Sequence, residues 1–412
     1  MKRLVICLFA GWLNPVVAAP LGSDLAGLLS YAREHNPQLA ASRYEAKAAA
    51  HRIQPAGALP DPVLRTELMD ITNQGTSKPV SILPSGVGNT RYLLMQAVPW
   101  YGRRDLQREV ARAQALQADG QTAATWAELS GKIKATYAMY YFQSGSEKLA
   151  HETLALINQL EQVAQTRYAN GLATQQEVIR AQIEKSGLQS DLVELENEKH
   201  HTSGRLNALL SRPATAELAE PQAPRIVADH LEYAALEAAL RARNPQLQIA
   251  EAVSSEAQKN RDLTYSNRYP GFTLGVAPNQ SGSTVRSWDL MVELNIPLQQ
   301  ESRRSQEHEA EAKLAASSAR AQALQDQMLN ELSESVAGFE AAKRTEALID
   351  ARMLPQAELS FQSAIAGYQN GKIDFSTLLD AHRQVLKARQ QRIKAGFDAQ
   401  LRIVDIERLT GE

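Results

Sequence analysis

The chain is poor in the residues that carry out catalysis or bind soft metals. Its 412 residues include one cysteine, Cys7, together with eight histidines and seven methionines. Cys7 lies in an apolar run near the N-terminus, so the rest of the chain has no disulfide, thiolate nucleophile or thiolate metal ligand. The formal net charge of −2 lacks the basic excess that nucleic-acid-binding proteins normally carry. We therefore expect no nucleic-acid partner.

The histidines do not form a recognisable metal or catalytic site. His308 is followed by Glu309, but no second histidine stands at the spacing of a zinc-protease motif. His200 and His201 are adjacent, and adjacent residues on a helix point in different directions. The methionines are scattered, without the ladder of ligands that a copper relay needs. We therefore expect no enzyme activity, no cofactor and no metal site.

The N-terminal segment has the pattern of a secretory signal peptide. Two basic residues precede the apolar run 4–13, and the small residues Ala18 and Ala19 follow it. Residues 1–18 are predicted to be removed, with cleavage after Ala19 as the alternative. Cys7 lies too early for lipid attachment, so no acyl anchor is expected there. No later stretch has about 18 consecutive apolar residues, so no transmembrane helix is expected.

The rest of the chain contains an internal repeat. Short motifs recur in the same order, at an offset of 208 residues in the first part of each copy and 200 in the second. The matching pairs are Asn36–Leu39 with Asn244–Leu247, Pro62 with Pro270, Arg103–Arg104 with Arg303–Arg304, Tyr168–Gly171 with Tyr368–Gly371, and Leu209 with Leu409. These offsets predict a first repeat over 19–210, a proline-containing linker over 211–227 and a second repeat over 228–412.

Each repeat is predicted to contain two helices, two strands and then long antiparallel helices. The strands are expected at about 62–70 and 90–99, and at about 270–278 and 285–297. The helix from Arg104 to Tyr168 would measure about 96 Å at the α-helical rise. Apolar residues recur at spacings of three, four and seven along the second long helix, which is typical of a coiled-coil seam. They are Leu314, Ala321, Leu324, Met328, Leu332, Val336 and Phe339.

The predicted strand within 285–297 alternates between apolar and polar residues. One face carries Trp288, Leu290, Val292, Leu294 and Ile296. A run of about ten such residues is long enough for a tilted strand to cross a bilayer. Applying the repeat offset places Leu64, Leu68, Phe272, Leu274 and Val276 on the same lipid-facing side. A soluble hairpin with one buried face would show the same alternation, but the signal peptide favours a membrane barrel.

Several motifs together resemble the TolC-like outer-membrane efflux protein family. They are the two Asn-Pro-Gln-Leu helix starts, Leu59–Pro62, Val98–Arg104, Arg167–Gly171 and Glu177–Gln182. The stretch Ala58–Pro62 is most similar to the heavy-metal branch of the family, the CusC/CzcC-type proteins. The resemblance covers essentially the whole chain after the signal peptide.

The resemblance implies a mainly α fold with a small β-barrel part. Long antiparallel coiled-coil helices would form a trimeric α-barrel, and each protomer would add four transmembrane strands to a shared 12-stranded β-barrel. This homotrimer would lie in the outer membrane with a long periplasmic extension. Joining strand edges between subunits removes the unpaired backbone groups that hydrocarbon does not tolerate.

The implied function is a passive exit duct of a tripartite efflux system. The resemblance to the heavy-metal branch implies that the substrates are heavy-metal cations. They would arrive from a periplasmic adaptor (a membrane fusion protein) and an inner-membrane pump of the resistance-nodulation-division type. The alternatives are an exit duct for drugs or secreted proteins, and a soluble periplasmic coiled-coil adaptor or scaffold. The adaptor class would need a lipoyl-like module, and the sequence contains none that we recognise.

Two turns between long helices are the predicted functional sites. Gly after Asn permits the left-handed backbone that ends one helix and reverses the chain. In the family, small and apolar residues at this turn contact the adaptor, which here gives Gly171, Leu172, Ala173, Gly371 and Ile373. The acidic residues Glu177, Asp374 and Asp380 follow the turns and are predicted to line the periplasmic aperture. The family has a further acidic residue where this chain has Thr377.

Overall fold

The computed structural model describes residues 21–75, 77, 79–224 and 230–411. The predicted signal peptide and part of the predicted linker lie outside these residues. The helices are α1 Leu25–His35, α2 Pro37–Ala56, α3 Arg103–Ala169, α4 Gln175–Leu209, α5 Tyr233–Arg243, α6 Pro245–Ser266, α7 Gln300–Leu348, α8 Leu354–Gln369 and α9 Phe375–Thr410. The strands are β1 Val63–Met69, β2 Asn89–Val98, β3 Gly271–Ser281 and β4 Thr284–Asn295. The prediction of a mainly helical fold with a small antiparallel sheet is confirmed.

The chain divides into two compact units, which we name by their contents. The turn unit comprises the described parts of Met1–Pro37, Leu129–Glu232 and Glu334–Glu407, and it contains both predicted turns. The sheet unit comprises the described parts of Gln38–Glu128, Tyr233–Ser333 and Arg408–Glu412, and it contains all four strands. Within the described residues, none of the helices combines the length and the apolar composition that crossing a bilayer requires.

Equivalent asparagines join two helix ends in each repeat. The side chain of Asn244 accepts hydrogen bonds from the backbone N–H groups of Gln246 and Leu247, at 2.9 and 3.1 Å, and so caps α6. Its Nδ2 donates to the carbonyl of Leu409, at 2.8 Å. In the first repeat Nδ2 of Asn36 donates to the carbonyl of Leu209, at 3.0 Å. Each asparagine therefore satisfies a carbonyl that the end of a long helix leaves without an intrahelical partner.

The sheet is antiparallel with the strand order β1-β2-β3-β4. The two repeats meet where β2 pairs with β3, as in the pair Leu94 and Val276. Strand β3 extends beyond the predicted 278 to Ser281, so a turn of only Gly282 and Ser283 joins it to β4. Strand β4 ends at Asn295, so the assignment of Ile296 to this strand was wrong by one residue.

The long helix of the second repeat is interrupted, whereas α3 is continuous. A π-helical turn, Ile349–Met353, separates α7 from α8, and Pro355 lies in the first turn of α8. Proline has no backbone N–H and its ring clashes with the carbonyl of the preceding turn. A local π-helical turn accommodates such a break without ending the helical path.

Candidate functional site

Both predicted turns have the same backbone geometry. Gly171 and Gly371 have φ angles of +72° and +68°. Each turn has the two hydrogen bonds of a Schellman motif, such as Gly171 N–H to the carbonyl of Tyr168 at 2.9 Å and Leu172 N–H to that of Arg167 at 2.8 Å. An L-residue with a Cβ is strained at such φ values, which explains glycine at both positions.

The five predicted docking residues differ in exposure. Leu172 is an exposed apolar side chain at the first turn, and Gly171 and Gly371 are exposed as well. Ala173 is half-buried. Ile373 is also half-buried, because it packs against an apolar cluster of the turn unit formed by α3, α4, α8 and α9. The first turn therefore presents more apolar surface than the second.

Arg167 joins the two turns within one protomer. Its guanidinium lies 4.7 Å from the centre of the Tyr368 ring, a cation–π distance. The same guanidinium donates to the carbonyl of Gln369 at 3.0 Å and to that of Leu172 at 3.3 Å. Tyr368 is only 2% exposed, whereas its repeat equivalent Tyr168 is 48% exposed. The two repeats therefore use the same tyrosine differently.

Glu177 is held by hydrogen bonds inside the protomer. The Tyr368 hydroxyl donates to its Oε2 at 2.9 Å, and its Oε1 accepts from the backbone N–H of Thr174 at 3.4 Å. The second contact completes a capping box at the start of α4. Burial, and then the hydrogen bond to the Glu177 carboxylate, raises the pKa of Tyr368 far above its ordinary value. Glu177 is thus a structural partner of Tyr368 as well as a predicted aperture charge.

The other two predicted aperture residues have different local partners. Asp374 accepts hydrogen bonds from the hydroxyl and the N–H of Thr377, at 2.6 and 2.9 Å, and from the hydroxyl of Ser376 at 2.7 Å. These bonds, the Thr377 hydroxyl first, lower the pKa of Asp374 to about 2. Asp380 is exposed on α9 and lies 3.3 Å from Arg383.

A buried histidine near Asp380 was not predicted from the sequence. His382 is 5% exposed, and within the described residues its Nδ1 has no hydrogen-bond partner. Its ring lies 5.3 Å from the ring of Phe361 on α8. Burial lowers its pKa. No local sequence pattern identifies this residue, because the ring that packs against it belongs to another helix.

One face of the sheet is apolar and exposed. It carries Leu64, Leu94, Leu274, Val276, Trp288, Leu290, Val292 and Leu294, all of them exposed. The pairs Leu64 with Leu94, Leu94 with Val276 and Val276 with Leu290 place four of them in one row across the strands. Of the predicted lipid-facing residues, Leu68 and Phe272 are half-buried on this face, and Ile296 is exposed just beyond β4.

The opposite face of the sheet is mixed. Leu93, Met95 and Ala277 are buried there in a small cluster with Met291. Charged residues lie on the same face, and Arg91 is 3.6 Å from Glu67 on β1 and 3.6 Å from Asp289 on β4. The sequence predicted a polar side but not this apolar cluster within it.

Comparison with known proteins gives matches over most of the chain. The family model for outer membrane efflux proteins matches residues 28–212 and 236–412. The outer membrane protein TolC of Vibrio cholerae is 25% identical over 431 residues, which cover 100% of this chain and 96% of that protein. The cobalt-zinc-cadmium resistance protein CzcC of Cupriavidus metallidurans is 25% identical over 401 residues, which cover 90% of this chain and 85% of that protein. Among solved structures, a CusC structure has a TM-score of 0.79 at 17% identity and covers 94% of this chain and 91% of that chain.

Proposed function

The chain belongs to the outer membrane efflux protein family, and we propose that it is the exit duct of a tripartite system that exports heavy-metal cations. Members of this family are outer-membrane channels with a periplasmic helical tunnel, and they are not enzymes. They form trimers and work with a periplasmic adaptor and an inner-membrane pump. In this proposal the protein is a homotrimer that passively conducts the cations that a resistance-nodulation-division pump and its adaptor deliver.

The main support for a trimeric duct is the sheet with its two outer edges. Within the described residues β1 pairs only with β2, and β4 pairs only with β3. An exposed apolar face suits lipid, but unpaired strand edges in lipid leave backbone groups without hydrogen bonds. Pairing β1 of one protomer with β4 of the next satisfies those groups. Three protomers would then supply 12 strands, enough to surround a lumen.

The support for a metal substrate is the similarity to CzcC together with the position of Asp380. The name of CzcC states resistance to cobalt, zinc and cadmium. In a trimer the exposed Asp380 side chains would form a ring of three carboxylates near the turns, and such a ring favours cations. TolC of Vibrio cholerae matches at the same identity and over more of the chain, so a duct for other substrates is the alternative.

The proposed adaptor contact is the exposed surface of the two turns. Leu172 with the flanking Gly171 and Ala173 would provide the apolar part of this surface, and Gly371 and Ile373 would provide less of it. The turns are rigid, because the Schellman bonds and the Arg167 side chain hold them. A rigid exposed apolar residue loses little conformational entropy on binding, which favours its use as a contact.

Deletion of the gene tests the substrate assignment directly. We expect the deletion strain to lose tolerance to zinc, cobalt or cadmium, and the plasmid-borne gene to restore it. Sensitivity to hydrophobic dyes with unchanged metal tolerance would instead favour the drug duct. Membrane fractionation separates the duct from a soluble adaptor or scaffold, because the latter would be washed off the membrane.

A further inference from the structure

A groove of about 530 Å³ lies in the sheet unit, where β2 passes into α3 and α6 passes into β3. We propose that it binds the headgroup of a zwitterionic phospholipid with a primary ammonium, phosphatidylethanolamine, in the inner leaflet of the outer membrane. Its walls include Trp100, Tyr101, Asp262, Tyr265, Arg268 and Tyr269, and we call it the junction groove. The proposal depends on the proposed membrane position of the sheet.

The junction groove adjoins the apolar face of the sheet. The Trp100 ring stacks on Tyr269 with ring centres 4.9 Å apart, and on Phe272 at 5.9 Å. Phe272 pairs with Val98 and with Leu294, which belong to the exposed apolar face. A lipid with its acyl chains against this face would therefore have its headgroup at the groove. Tryptophan and tyrosine are enriched at this depth of a membrane, because their rings are amphipathic.

The end of the sheet at which the groove lies indicates the leaflet. Helices α3 and α6 adjoin the strands at this end, whereas the turn formed by Gly282 and Ser283 lies at the opposite end. In the family the helices form the periplasmic part of the channel. The groove thus faces the periplasmic side, where the inner leaflet of the outer membrane has its headgroups.

The positive charge of the groove is fixed in place. The Arg268 guanidinium makes two hydrogen bonds of 2.5 Å with the carboxylate of Glu307, and it lies 4.7 Å from the centre of the Tyr265 ring. About half of the Arg268 side chain remains exposed. Because Glu307 occupies the Nε–Nη2 edge, Nη1 of this guanidinium is the donor that we assign to a phosphate oxygen of the lipid.

Negative charges and aromatic rings line the remainder of the groove. Asp262 belongs to α6, and Asp105 and Glu109 belong to α3. Each is paired with an arginine of its own helix, respectively Arg261, Arg108 and Arg112. Tyr101 is 94% exposed, so its ring is available to a ligand. A primary ammonium would share these carboxylates with their arginines and lie against the ring face through a cation–π interaction. Because the charged groups of the groove are paired with one another, no cation is left over for the net negative charge of phosphatidylglycerol. Phosphatidylethanolamine is neutral overall, and the groove therefore favours a zwitterionic headgroup over an anionic one.

The test uses the purified full-length protein in detergent. Short-chain dihexanoyl phosphatidylethanolamine and dihexanoyl phosphatidylglycerol are titrated separately, and binding is followed by native mass spectrometry and by the shift in melting temperature. We expect saturable binding of the ethanolamine lipid and weaker binding of the glycerol lipid. Equal binding of both lipids, or binding of neither, would overturn the proposal.

Two variants separate recognition from folding. Tyr101→Ala removes an exposed ring and should weaken ethanolamine-lipid binding by about fivefold, in line with one cation–π contact. Asp262→Asn should reduce the preference for the ethanolamine lipid over the glycerol lipid. Tyr44→Ala, at an exposed tyrosine of α2, is the matched control and should bind like the wild type. If Tyr101→Ala binds like Tyr44→Ala, the groove is not the site, whereas a wild-type protein absent from the membrane fraction would disprove the proposed function itself.

Discussion

Tyr368 and Glu177 connect the two repeats at their turns, because the Tyr368 hydroxyl donates to Oε2 of Glu177 at 2.9 Å. Tyr368 lies in the last turn of α8, before the second turn, and Glu177 lies in the first turn of α4, after the first. Arg167 covers the ring of the same tyrosine and contacts the backbone of both turns. The arrangement fixes the two proposed docking surfaces relative to each other within one protomer.

Replacing Tyr368 with Phe should loosen this connection. The change removes one partly buried hydrogen bond to a carboxylate and leaves the ring in place, so we expect a loss of about 1–2 kcal/mol in the free energy of unfolding. In planar bilayers the variant channel should show higher conductance, because the aperture is less constrained. Tyr168→Phe, at the half-exposed equivalent position, is the matched control and should change neither quantity. Unchanged stability and conductance in Tyr368→Phe would show that this hydrogen bond does not hold the aperture.

Asp380 should contribute to the cation preference of the channel. Asp380→Asn removes three charges from the proposed ring in the trimer, so the ratio of cation to anion permeability should fall. Asp374→Asn tests the second acidic residue, and the asparagine can still cap α9. Reversal potentials in a salt gradient measure both variants. If only Asp374→Asn changes the reversal potential, the ring belongs to Asp374, and the assignment to Asp380 is wrong.

His382 should make the turn unit less stable in acid. Its pKa is lowered by burial, so below about pH 6.5 the unfolded chain takes up a proton before the folded chain does, and stability falls as the pH falls. Glu184 on α4 opposes this effect, and Arg389 and Arg383 on α9 add to it. We expect the melting temperature of His382→Phe to change less between pH 7.5 and 5.5 than that of the wild type. His382→Gln replaces this variant if it folds poorly. His200→Gln, at an exposed position, should behave like the wild type, and equal acid sensitivity in all variants would contradict the prediction.

The sequence predicted those features whose cause is local or repeated. Gly171 and Asn244 are examples, because a left-handed turn and a helix cap each select a particular residue. It did not predict the pairing of Arg167 with Tyr368, since the two residues come from different repeats and no periodicity relates them. The burial of His382 was missed for a similar reason.

The apolar contact between protein and adaptor should depend on Leu172. Geometry limits the changes that this turn tolerates, because a proline at Gly171 cannot adopt its positive φ and would destroy the turn itself. Leu172→Asp keeps the turn and places a charge on its exposed surface. We expect the variant to lose metal tolerance in cells while trimers remain in the membrane. Lys372→Asp, at the equivalent exposed position of the second turn, tests the less apolar part of the same surface and should reduce tolerance less. Full tolerance in Leu172→Asp would remove this residue from the contact.

A charge on the apolar face of the sheet should prevent stable insertion. Leu290 is 78% exposed and lies in the row that it shares with Val276, Leu94 and Leu64. An arginine on the lipid side near the bilayer midplane costs about 2–4 kcal/mol in each protomer, so Leu290→Arg should lower the amount of trimer in the outer-membrane fraction. Ser287→Arg places the same side chain on the opposite face of β4, where water in the lumen would solvate it, and its trimer level should stay near that of the wild type. The trimer levels of the two variants are compared on gels of membrane fractions that have not been heated. Equal trimer levels in the two variants would mean that this face does not meet lipid, and the barrel proposed for the three copies of the sheet would have to be abandoned.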